Sequence, residues 1–155
     1  MAKLVTLPDF GIYFRTNRRN PIDFVCRETP NLLHDMIFIQ SYLHDATFSA
    51  KGVQLKGNTL RIDLQRARWE LYESLGELES IASRLIIRPV LSAKWQSKAK
   101  VTDQFSIRNV YLGESFWDSS DTAEVVLSGF GRRPRQLRIK VRDPFSIRLQ
   151  DITRD

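Results

Sequence analysis

Two residues near the middle of this chain constrain its fold more than any others. Gly57 and Asn58 stand between Val53-Gln54-Leu55-Lys56 and Thr59-Leu60-Arg61-Ile62-Asp63-Leu64, two runs in which apolar and polar residues alternate. A Gly-Asn connection between such runs is a β-hairpin signal, because both residue types tolerate the positive φ of a tight primed turn. The alternation puts Leu60, Ile62 and Leu64 on one face and Arg61 and Asp63 on the other. An isolated two-stranded hairpin is marginal in water, so the apolar face demands further strands to cover it.

The rest of the chain supplies them. Gly11 to Arg15 and Ile22 to Arg27 flank TNRRNP, and their turn-rich spacer predicts a second hairpin. Arg84 to Ser92 is apolar and β-branched, and its Pro89 confines it to an edge, an end or a bulge. Gln104 to Leu112 alternates with one break, which a bulge near Asn109 reconciles. Ala123 to Leu127 and Gln136 to Val141 flank the loop SGFGRRPR, and Phe145 to Leu149 follows the turn-forming Asp143-Pro144. Two segments carry a helical period instead. Leu32, Leu33, Met36, Ile39, Tyr42 and Leu43 recur at three- and four-residue steps after Thr29-Pro30-Asn31, which predicts a helix, with a buried strand over Met36 to Leu43 as the competing assignment. Leu71, Leu75, Leu78, Ala82 and Leu85 form a second stripe, weakened by Gly76. The expected fold class is α+β or mostly β: a single domain over residues 1–155, built on an antiparallel β-sheet system of six to nine strands with one or two short helices.

A chain of 155 residues that is 42% hydrophobic and 27% charged is long and apolar enough to bury a core without staples. Cys26 is its single cysteine, no Asn-X-Ser/Thr acceptor occurs, and no apolar run approaches the ~18 to 20 residues that span a bilayer. The opening residues lack an apolar core followed by a small-residue cleavage site. A cytoplasmic protein without a membrane segment is the expectation.

Charge is unevenly placed. Residues 1–80 hold 10 Lys/Arg and 10 Asp/Glu, whereas residues 81–155 hold 14 and 8, so the formal +6 belongs to the second half. Between Val125 and Arg142 stand Arg132, Arg133, Arg135, Arg138, Lys140 and Arg142, with no acid among them. If Leu137, Ile139 and Val141 point into a core, Arg138, Lys140 and Arg142 line up outside it, roughly 6 to 7 Å apart. Such a row suits an acidic protein surface, and it equally suits a phosphate backbone. A solvated strand face that keeps an edge from pairing has the same sequence. Aromatics for base stacking are sparse, with only Phe130 in the adjoining loop, and no RNP, zinc-finger or helix-turn-helix spacing occurs.

Both histidines precede aspartates, in His34-Asp35 and His44-Asp45. Histidine beside a carboxylate can serve as base or metal ligand, which makes His44 and Asp45 a candidate polar site. Adjacent residues diverge on either helix or strand, and the likeness to metal-dependent HD phosphohydrolases ends at the dipeptide. The preferred reading is that His44 and Asp45 terminate an element and bond to backbone groups at the turn into Ala46. Cys26 has no motif around it, Gly129 and Gly131 give only GxG, and no cofactor or metal signature is present.

The run Leu43-His44-Asp45-Ala46-Thr47-Phe48, followed by VQLKGNTLRIDL, resembles the LHDA-plus-hairpin opening of small bacterial β-rich domains of unknown function, some classed with immunity proteins of polymorphic toxin systems. That resemblance spans about residues 43–64 and implies a cytoplasmic, non-enzymatic binder that occludes its partner. The functional expectation is accordingly a binding or interaction protein that engages an acidic partner through the strip from Arg132 to Arg142. Sequence-independent nucleic-acid binding is the alternative, homo-oligomerisation is open, and a metal-dependent hydrolase using His44 and Asp45 stands further off.

Overall fold

The computed structural model describes residues 4–7, 12–15, 22–26, 31–72, 76–96, 103–113, 121–130 and 135–152. Its elements in chain order are β1 (Leu4–Leu7), β2 (Ile12–Arg15), β3 (Ile22–Cys26), α1 (Asn31–Leu43), β4 (Thr47–Ser49), β5 (Val53–Lys56), β6 (Thr59–Ala67), β7 (Ser80–Trp95), β8 (Gln104–Leu112), β9 (Thr122–Gly129) and β10 (Gln136–Asp151). Short 3-10 turns occupy Ala50–Gly52 and Trp69–Leu71.

Every strand pairing is antiparallel. Six strands run in the order β10, β7, β6, β4, β8, β9, and β9 returns to β10, so the sheet closes into a barrel. Closure leaves those strands no free edge along the seam. β5 adds to β6 as the second arm of the hairpin, and β3 adds to the C-terminal half of β10. β1 and β2 form a separate two-stranded sheet. The mostly β, antiparallel class read from the sequence is what the chain adopts.

Period-two alternation explains the core. Leu60, Ile62 and Leu64 of β6 face inward, as do Leu85 and Ile87 of β7, Phe105 and Ile107 of β8, and Leu137, Ile139 and Val141 of β10, all buried. Phe48, Trp95 and Phe105, from β4, β7 and β8, form a ring cluster with centroids 4.9 to 6.1 Å apart, within the range where tilted aromatic pairs attract. Helix α1 packs Met36, Ile39, Tyr42 and Leu43 into the same core and lies against β2, β3, β6 and β8. The helical assignment of that segment holds over the strand alternative.

Three local expectations change. β2 pairs with β1, and β3 pairs with β10, so the expected hairpin of Gly11–Arg15 with Ile22–Arg27 does not form. The second helical stripe does not run on as one helix: a 3-10 turn occupies Trp69–Leu71, Leu75 lies outside the described residues, and Ala82 and Leu85 belong to β7, whose ladder with β6 begins at Ala67↔Ser80. A long two-sided ladder outweighs helical spacing over Ala82 and Leu85, and Gly76, whose N–H donates to the Tyr72 carbonyl at 3.0 Å, takes a left-handed φ of 69° before that ladder begins. Asp143-Pro144 does not end a strand: β10 runs through it, with a register shift against β7 between Val141 and Ser146. Proline donates no ladder hydrogen bond, and it sits where β10 exchanges β9 for β3 as its second neighbour. Pro89 lies on the facing stretch of β7, between Arg88 and Val90, in the same irregularity.

Candidate functional site

The basic strip lies where alternation puts it. Arg138, Lys140 and Arg142 occupy outward positions of β10, between the buried Leu137, Ile139 and Val141. Their environments differ. The Arg138 guanidinium is bonded to Glu124 of β9 and to Gln136 Oε1 at 2.9 Å. Arg135 donates to Asp103 at 2.9 Å. Lys140 and Arg142 are exposed and make no ion pair among the described residues. Lys94 of β7 stands directly opposite Arg138 and is exposed as well. Arg132 and Arg133 lie outside the described residues.

The open part of the basic face is therefore Lys94, Lys140 and Arg142, spread over β7 and β10. Leu91, 44% exposed, lies on the same stretch of β7, where the ladder steps from Val90↔Val141 to Ser92↔Lys140. Lys94 is a residue that reading one strand at a time missed. Its signal is the register: a lysine directly across the ladder from the Arg138 row.

His44 and Asp45 close helix α1. Asp45 adopts a φ of 64°, the left-handed conformation that commonly follows a helix and that Asp tolerates better than most residues. Its N–H donates to the Ile107 carbonyl at 3.0 Å, and the Ala46 N–H donates to the Leu43 carbonyl at 3.0 Å. The His44 carbonyl accepts from Trp69 Nε1 at 2.9 Å, and its ring lies 5.9 Å from the Trp69 ring. The two side chains come no nearer than 3.7 Å, too far for a hydrogen bond. Backbone bonding accounts for the pair, and no group of three His, Cys, Asp or Glu side chains gathers in metal-ligand geometry among the described residues.

The strongest polar constellation is one the strip argument missed. Arg66 continues the inward row of Leu60, Ile62 and Leu64, and its side chain is fully buried. It donates to Asp151 at 2.8 and 2.7 Å and to both carboxylate oxygens of Glu70, while the Tyr42 ring lies 5.8 Å away. Ser83 Oγ donates to Asp151 at 2.6 Å. Burial opposes both charges, but the paired hydrogen bonds and Coulomb attraction outweigh it. The Arg66 guanidinium is held above its ordinary value and the Asp151 carboxyl below its own. This cluster ties the end of β6 to the end of β10, and every strong donor in it is already used.

A cleft of about 460 Å³ opens where β8 begins, β9 ends and β10 begins, with Asp103, Gln104, Phe105, Phe130 and Arg135 on its walls. No helix among the described residues is long and apolar enough to cross a membrane. Comparison of the chain with protein-family models, curated proteins and solved structures finds no match in any of the three.

Proposed function

We propose that this protein is a non-enzymatic binding module whose basic face, centred on Lys94, Lys140 and Arg142, docks an acidic protein surface. The observation that carries the reading is the contrast along β10: Arg135 and Arg138 are neutralised by Asp103 and Glu124, while Lys140, Arg142 and the neighbouring Lys94 make no ion pair among the described residues, Glu124 across the ladder from Lys140 being engaged by Arg138. Charges left unpaired on a rigid barrel wall steer an oppositely charged partner and fix its register. Leu91 gives that face an apolar contact, as protein interfaces require at their centre. Tyr111, 37% exposed and bonded to Gln136 at 2.8 Å, gives the cross-strand row of Arg138 and Lys94 one aromatic ring, whereas single-stranded nucleic acid favours several in succession.

The test is fluorescence anisotropy of two labelled polyanions, an Asp/Glu-rich peptide and a mixed-sequence oligonucleotide. Wild type is compared with the Lys94→Ser/Lys140→Ser/Arg142→Ser variant at low and near-physiological salt. The expected outcome is preference for the acidic peptide, weakened about ten-fold in the variant, in keeping with ~0.2–1 kcal/mol for each exposed charge pair. Steeply salt-dependent preference for the oligonucleotide would move the function to nucleic-acid binding. No binding of either probe at low salt would leave the face a solvated wall.

A further inference from the structure

The cleft beside the basic face has a chemistry of its own. Phe130 follows β9 and is 52% exposed, the most open of the large hydrophobic side chains described. The Arg108 guanidinium lies 5.9 Å from the centre of its ring. Arg108 sits at the register shift in the β8–β9 ladder, between Ile107↔Gly129 and Asn109↔Ser128, so the extra residue of a β-bulge delivers it there. Gly129 keeps the floor low. A Cβ at that position would stand 3.2 Å from the Phe105 ring and 3.3 Å from the Ser106 carbonyl.

The polar groups face outward with capacity to spare. Arg135 gives one Nη1 donor to Asp103, and its remaining N–H groups have no protein acceptor among the described residues. Arg108 makes no hydrogen bond or ion pair among them either. Gln104 and Ser106 add an amide and a hydroxyl to the walls. An exposed aromatic face, one guanidinium with unused donors and one carboxylate line a space of about 460 Å³, the size of a small-molecule site, and Arg108 reaches it through its contact with the Phe130 ring.

We propose that this cleft binds a planar aromatic anion, with its ring stacked on Phe130 and its negative group held by Arg108 and Arg135. Stacking needs only a π-face, and a guanidinium fork donates two hydrogen bonds to a phosphate or carboxylate. The same chemistry is carried by nucleoside monophosphates and by aromatic carboxylates, and the experiment separates them.

Calorimetric titrations with adenosine monophosphate, adenosine and indole-3-carboxylate measure the site on wild type, Phe130→Ala, Arg108→Gln and Arg135→Gln. A Lys140→Ser/Arg142→Ser variant serves as the control that leaves the cleft intact, and thermal melts verify that each protein is folded. The expected result is saturable binding of at least one of the two anions, about ten-fold or more tighter than adenosine. It falls about ten-fold in Phe130→Ala and in either arginine variant, and stays unchanged in the control. Tighter binding of the monophosphate than of the carboxylate assigns the ligand to nucleotides, and the reverse assigns it to aromatic acids. If both anions bind no better than adenosine, or if affinity follows the Lys140 and Arg142 changes and ignores Phe130, the proposal is overturned. Because the control variant removes part of the basic face and leaves the cleft, failure there and failure of the acidic-partner reading are separate results.

Discussion

Arg66 shows how one side chain can be committed to structure while looking like a candidate for function. Its guanidinium is fully buried and shared by Glu70 and Asp151, so truncating it strands two carboxylates in a low-dielectric site. Arg66→Ala is expected to lower unfolding stability by about 3 to 5 kcal/mol in denaturant titrations, the range for breaking a buried pair from one side. A loss below ~1 kcal/mol would mean that water already reaches the cluster. Asp151 supplies the pH counterpart. Its folded-state pKa is lowered from an ordinary value of 3.8, so its contribution is fully present above that value and disappears as pH falls through the folded one. Acid unfolding followed by circular dichroism should therefore steepen below about pH 4 in wild type. Asp151→Asn should lose that part of the slope and be less stable at neutral pH. The strand expected from the sequence stops at Leu64, and only its extension to Ala67 carries the alternation on to Arg66, whose partners Asp151 and Glu70 meet it through tertiary closure.

Elements defined by local chemistry were legible from the sequence, and elements defined by distant pairing were not. The β5–β6 hairpin forms at the Gly57-Asn58 turn with Lys56↔Thr59 as its first pair, and the β8 bulge falls at Arg108, beside the expected Asn109. Three features escaped: the pairing of β2 with β1, the addition of β3 to β10, and the passage of β10 through Asp143-Pro144. Each depends on which strand lies alongside, a fact that turn residues and periodicity do not encode. The hairpin turn also resolves a detail of its type. Gly57 has a φ of 62°, while Asn58 is not at positive φ, so only the first central residue needs glycine, as in a type II′ turn. No atom outside its chain neighbours stands within 4 Å of a Cβ built on Gly57, so the cost of a side chain there is purely conformational. Gly57→Ala should destabilise by about 1 to 2 kcal/mol, and Asn58→Ala by less than ~0.5 kcal/mol, in paired thermal melts. Equal losses at both positions would contradict the assigned turn.

Across the whole molecule, β10 is the strand on which closure depends. Its first half is hydrogen-bonded to β9 on one side and β7 on the other, and its second half exchanges β9 for β3. The same strand carries the outward Arg138, Lys140 and Arg142 and the approach to the cleft at Arg135, so both proposed binding surfaces rest on the most constrained part of the barrel. Rigid support of that kind holds exposed cations in a fixed pattern at little entropic cost on binding. The sequence revealed the row of charges but not which members stay open, because Asp103, just before β8, and Glu124 of β9 come from elsewhere in the chain to neutralise Arg135 and Arg138. Native-state hydrogen exchange gives the direct measure of this architecture. Amides from Leu137 to Val141, flanked by ladders on both sides, should exchange only through global unfolding and so report the full stability. Those of β5, which pairs with β6 alone and presents Gln54, Leu55 and Lys56 to solvent, should exchange through local fraying, at least a hundred-fold faster on the order-of-magnitude scale set by ~3 kcal/mol. If β5 proved as protected as Leu137–Val141, the hairpin would be opening with the barrel as one cooperative unit. If the first half of β10 exchanged as fast as β5, the β9–β10 seam would be the weak point, and neither surface would have the rigid base argued for it.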